Sequence, residues 1–177
     1  PRGEQRADRA LGPEFVDDDP VLPPGARLFE FQVGEVRDGG GDNLNPEILW
    51  EGVRAALTAA QIPLDRVTLA LDDQYLTGDP GPLAADLAEL RLDGVGLCLD
   101  LTDLGRACLE ALILLRPERV RLDGAITEGI ANSRIRRATT GRFVRICQAL
   151  GVEVIARREP PEERRVLLEL GVRRFDA

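Results

Sequence analysis

The sequence predicts an α/β fold in which parallel strands alternate with outer helices, in about six βα units. Three observations carry that reading. First, five short apolar runs recur along the chain: VTLALD (67–72), VGLCLDL (95–101), RVRLD (119–123), VEVIAR (152–157) and VRRFD (172–176). Each has the length of a strand and is followed or preceded by a helical stretch. Second, the intervals between them place apolar residues at helical spacing. Third, three of those intervals close on a glycine followed by valine, the pattern that ends a helix before a strand: Asp93-Gly94-Val95, Leu150-Gly151-Val152 and Leu170-Gly171-Val172. Consecutive parallel strands joined by helical crossovers wind right-handed, with the helices outside.

Taken in order, residues 1–25 are rich in Pro, Asp, Gly and Arg and read as a linker or N-terminal extension. The remainder, 26–177, reads as one domain. LFEFQV (28–33) is a first strand, and RDGGGDNLNP (37–46) a loop in which Asn45 can cap a helix. That helix carries Pro46 and Glu47 in its first turn and runs to about Ala60, with Ile48, Leu49, Val53, Ala56 and Leu57 on one stripe. Helix 81–91 places Leu83, Leu87 and Leu90 inward, and helix 104–116 Leu104, Cys108, Ala111, Leu112 and Leu115. Helix 130–149 carries Ile130, Ile135, Phe143, Val144, Cys147 and, at its end, Leu150; helix 161–170 carries Val166, Leu167 and Leu170. Eight units would close a barrel of about 250 residues. Six must leave it open or form a doubly wound sheet.

Composition narrows the chemistry. With 44% hydrophobic and 31% charged residues over 177 positions, the chain can bury one substantial core. A net charge of −8 argues against nucleic acid as partner. Every basic residue is arginine, and the absence of histidine removes the commonest general base and transition-metal ligand. Cys98, Cys108 and Cys147 lie inside apolar patterns at no metal-like spacing, as buried thiols of a reducing compartment do. No apolar run reaches the roughly 18 residues of a membrane span, and no signal segment opens the chain, so a cytoplasmic location without membrane contact is expected. A start at Pro1 with no Met reads as a piece of something longer.

The residues at the strand ends carry a resemblance. The line from Ile62 to Thr127, and the continuation from Ile146 to Ala177, resemble the second half of an EAL domain, the cyclic di-GMP phosphodiesterase fold. The resemblance covers about residues 61–177 and implies a modified TIM barrel, here incomplete, that holds two divalent metals and hydrolyses cyclic di-GMP to a linear dinucleotide. Matched position by position, it implies a degenerate member. Where the family has E-[IL]-T-E, this chain has Ala70-Leu71-Asp72-Asp73, and for D-D-F-G-T-G it has Asp100-Leu101-Thr102-Asp103-Leu104-Gly105. One metal carboxylate, Asp100, is kept, and its partner is Leu101. K-[IL]-D becomes Arg121-Leu122-Asp123, and A-E-G-V-E becomes Ala156-Arg157-Arg158-Glu159-Pro160. The motif that names the family has no clear counterpart; Phe29-Glu30-Phe31 is the one candidate, too close ahead of Ala70.

Two divalent cations about 4 Å apart need several carboxylates to offset their repulsion. The retained set is too small, so no catalytic residue, metal or cofactor is expected. The family-matched candidates for ligand binding are Asp73, Asp100, Arg121, Asp123 and Arg157. The competing readings are that the aspartates cap the following turns and that the arginines neutralise them as ion pairs. Five arginines between Ser133 and Arg145 form a basic segment, with Arg134, Arg137 and Arg145 near one side and no aromatics for base stacking. The expectation is a catalytically inactive regulatory module that engages a protein partner or a second copy. The alternatives are a metal-independent cyclic di-GMP receptor and, behind it, an active phosphodiesterase.

Overall fold

The computed structural model describes residues 14–16, 28–33, 54–55, 57–59, 61–73, 81–157 and 159–176. The chain forms two compact units, residues 1–70 with 85–96 and residues 71–84 with 97–177. The loop at 37–46 and the start of the helix after it lie outside the described residues.

In the first unit, β1 (Glu14–Val16) pairs antiparallel with β2 (Leu28–Val33), Phe15 opposite Phe29. β1 falls inside the stretch expected to be a linker. Three residues are too few to show an alternation, and Phe15-Val16 is the one strand-favouring pair in a polar segment. The helical residues at 54–55 and 57–59 bury Leu57 and end at Gln61, which takes a left-handed φ of 55°. Gln61 N donates to Thr58 O at 3.1 Å and Ile62 N to Leu57 O at 3.0 Å, the paired bonds that satisfy a helix end. A 3-10 turn at Leu64–Arg66 leads into β3 (Val67–Asp72), whose first five residues are buried. Helix α1 (Gly81–Leu92) buries Leu87 and Leu90, and an ion pair joins Arg54 to Asp93 just after it.

The second unit is a parallel sheet with helical crossovers. Its strands are β4 (Gly96–Leu101), β5 (Arg119–Leu122), β6 (Glu153–Ala156) and β7 (Arg174–Phe175), each paired with the next. Registers of Leu99 to Val120, Val120 to Val154 and Ala156 to Phe175 fix which residues share a face. Leu97, Leu99, Leu101, Val120, Leu122, Val154 and Ala156 make one face, all buried. Side chains alternate along a strand, so Cys98, Asp100, Arg119, Arg121, Glu153, Ile155 and Arg174 lie on the other. One face is oily and the other is mostly charged.

The helices are α2 (Arg106–Leu115), a short α3 (Gly124–Thr127), α4 (Arg134–Leu150) and α5 (Pro161–Leu170). α2 buries Cys108, Ala111, Leu112 and Leu115, α4 buries Phe143, Val144 and Cys147, and α5 buries Val166 and Leu167. The expected helix at 130–149 starts four residues later, because Ser133 Oγ accepts from Arg136 N at 3.3 Å and caps it there. Ile130 is buried in the turns ahead of the cap, whereas Ile135 and Leu150, expected inward, are 80% and 53% exposed. Both Gly-Val closures in this unit form as read: Gly151 and Gly171 take φ of 75° and 105°, and the valine after each donates back into its helix. At Gly141 an added Cβ would stand 2.9 Å from Leu170 Cδ2, so this glycine permits the close approach of α5 to α4.

Candidate site at the carboxyl ends of the strands

Parallel strands present their carboxyl ends as the place where ligands sit. In the second unit that edge carries Asp73, Asp100, Arg121, Asp123, Arg157 and Asp176.

Asp73 follows β3 and is tied to the loop after β4. Its Oδ2 accepts from Thr102 N and Thr102 Oγ1, both at 2.6 Å, and from Asp103 N at 3.3 Å. Partial burial works to raise its pKa, but the hydrogen bonds from Thr102, Asp72 and Asp103 prevail and hold it below the ordinary 3.8. Asp103 turns the same loop, with Oδ1 accepting from Gly105 N at 2.6 Å ahead of α2. Asp73 thus holds the loop after the neighbouring strand rather than capping the turn that follows it.

Asp100 and Arg121 stand opposite one another in the β4–β5 register and are both buried. Arg121 Nη1 donates to Asp100 Oδ1 at 2.8 Å and to Oδ2 at 3.0 Å, while its Nε donates to Asp176 Oδ2 at 2.5 Å. Cys98 Sγ approaches Asp100 Oδ1 at 3.8 Å. Asp176 is positioned by its own backbone N–H, which donates to Ala156 O at 3.0 Å. One layer toward the strand amino ends, Glu153 Oε2 lies 3.5 Å from Arg119 Nε and 3.4 Å from Arg174 Nη1.

Asp123 ends β5 and caps α3, its Oδ1 accepting from Ala125 N at 2.9 Å, while its Oδ2 lies 3.4 Å from Arg157 Nε. Each arginine thus lies against an aspartate, Arg121 against Asp100 and Arg157 against Asp123. Thr127, fully buried, donates from Oγ1 to Glu159. In the basic segment, Arg136 and Arg137 turn back onto the carbonyls of Ala125 and Ala131 at 2.8 and 3.3 Å, leaving Arg134, Arg142 and Arg145 exposed.

Sequence reasoning missed Asp176 as the second partner of Arg121, and Glu153 as the bridge of the layer below. The signal was available in the period-2 placement: arginine at 119, 121 and 174 against acid at 100, 153 and 176, all on one strand face.

A pair of divalent ions would need carboxylate oxygens free to be shared between them. Both oxygens of Asp100 face a guanidinium, one oxygen of Asp123 caps a helix, and an oxygen of Asp73 holds a loop. Among the described residues no three or more His, Cys, Asp or Glu side chains are grouped to hold a metal ion. The described residues do not fit that pair.

Residues 40–175, well over half of the chain, match the family model of the EAL domain. The cyclic di-GMP phosphodiesterase RocR of Pseudomonas aeruginosa is 27% identical over 129 residues, covering 72% of this chain and 33% of that protein. Among solved structures, a calcium/cyclic di-GMP complex of Klebsiella pneumoniae BlrP1 superposes with a TM-score of 0.71 at 24% identity, covering 88% of this chain and 39% of that one. The EAL domain of Mycobacterium smegmatis DcpA gives 0.68 at 18%, covering 85% and 65%. The chain spans about a third of RocR's length. The chain belongs to the EAL domain family, and its incomplete barrel-like α/β fold is the family's.

Proposed function

We propose that this EAL domain is a non-hydrolytic module of cyclic di-GMP-type signalling in the cytoplasm, and that it works by binding. The observation that carries this is the Asp100 carboxylate, both of whose oxygens are engaged by Arg121. A metal ion seated on those oxygens would stand beside a buried guanidinium, and like charges repel strongly where water is scarce. Ile113, Leu114, Ile135 and Leu150, at 66%, 50%, 80% and 53% exposure on α2 and α4, offer apolar surface for a protein partner or a second copy. Incubating the chain with cyclic di-GMP and Mg²⁺ or Mn²⁺, and separating the nucleotides chromatographically, is expected to return the substrate intact. Linear dinucleotide that disappears in Asp100→Asn would overturn the reading. Light scattering and partner capture then separate self-association from binding to another protein.

A second reading is a metal-independent receptor for cyclic di-GMP. It is favoured by Arg157, whose side chain is 54% exposed at the strand ends and whose contact with Asp123 is long at 3.4 Å, so that its guanidinium can turn to a phosphate. BlrP1 and the phosphodiesterase PaMucR were both crystallised as cyclic di-GMP complexes. Calorimetry in EDTA tests this reading: heat with the dinucleotide, lost in Arg157→Ala, supports it, and no heat at high micromolar concentration ends it.

A further inference from the structure

We propose that Arg121 is a built-in cation: its guanidinium does for Asp100 and Asp176 what a divalent ion would otherwise do, so this fold needs no metal at the mouth of its sheet. Arg121 plays this part whether or not the dinucleotide binds.

The side chains of Arg121, Asp100 and Asp176 are 8%, 9% and 23% exposed. Carboxylates so removed from water need a compensating charge with directed hydrogen bonds. A planar guanidinium supplies both, sending Nη1 to the two oxygens of Asp100 and Nε to Asp176. Arg119 lies on the same strand face two residues earlier, and with Arg174 it flanks Glu153. The upper trio has one positive and two negative groups, and the lower has two positive and one negative. Among the described contacts, three guanidinium groups thus face three carboxylates. Remove Arg121, and Asp100 and Asp176 lose the guanidinium they share.

Thermal unfolding followed by circular dichroism, in EDTA and in MnCl₂, reads the proposal. The unaltered chain is expected to unfold at the same temperature in both. Arg121→Gln is expected to unfold about 6–12 °C lower in EDTA and to recover several degrees in Mn²⁺, because the ion binds the folded state. Arg121→Lys, which keeps the charge, is expected to show no recovery. A midpoint of the unaltered chain that rises with Mn²⁺ overturns the proposal, and so does a folded Arg121→Gln that is indifferent to the ion. Should Arg121→Gln fail to fold, electron paramagnetic resonance of Mn²⁺ added to the unaltered chain decides. Bound ion that is lost in Asp100→Asn refutes the proposal, and no bound ion sustains it.

Discussion

Arg121 and Asp100, opposite one another on neighbouring strands, meet with a single guanidinium nitrogen shared between both carboxylate oxygens, at 2.8 and 3.0 Å. Arg121 lies 21 residues from Asp100 and 55 from Asp176, so the trio ties β4, β5 and the segment after β7 into one layer. Removing one member of such a layer leaves the others buried without their partner. Asp100→Asn keeps the shape and one acceptor but loses the charge. It should cost about 2–4 kcal/mol of unfolding free energy, read from urea denaturation at neutral pH, with the denaturant slope unchanged.

Asp73 contributes to the acid response of the protein. Its folded pKa is held below 3.8 by the loop it binds, so the stability it contributes is complete above 3.8 and is lost as pH falls through the lower folded value. Asp73→Asn should therefore be less stable than the unaltered chain at pH 6, and the two should converge in strong acid. Urea midpoints measured between pH 6 and pH 2 check this; a constant gap across the range would refute it.

Gly151 and Gly171 end their helices in the same way but in different company. An added Cβ meets nothing within 4 Å at Gly151, whereas at Gly171 it would stand 2.5 Å from Gln148 Nε2. Alanine at 151 should cost about 1 kcal/mol for the left-handed backbone alone. Alanine at 171, with φ of 105° and a side chain to displace, should cost more. Thermal midpoints of the two variants rank them.

Burial pushes the Cys108 and Cys147 thiols up to about 12. At pH 8 neither supplies thiolate, and neither is reachable from water. Iodoacetamide should leave both unmodified in the native protein and label both after denaturation, as mass spectrometry of the peptides would report.

Much of the fold was legible because the sequence repeats its own punctuation. A run such as RVRLD or VEVIAR, followed by a helical stripe and a Gly-Val closure, states a strand, a helix and the boundary between them, and α5 matches its expected bounds. Gln61 escaped notice because it does a glycine's work with a side chain attached. Ile135 keeps the helical spacing, yet it stands in the first turn of α4, two residues after the capping serine, and faces solvent. The candidate residues were found at the strand ends, but their partners were only half visible. Local pattern pointed to Asp123 as a cap, while the reach of Arg121 to Asp176 depends on how distant strands register, and no window of sequence contains both.

β7 has only two residues of strand, Arg174 and Phe175, and side chains add to its short backbone ladder. Arg174 reaches Glu153, Asp176 reaches Arg121, and Phe175 lies under the Arg164 guanidinium at 4.6 Å from its centroid. The final strand is sewn on by an ionic seam rather than woven in by a long ladder. Concentrated salt, which weakens such stitches but strengthens oil-to-oil contact, should fray this margin first and leave the aliphatic side of the sheet shut.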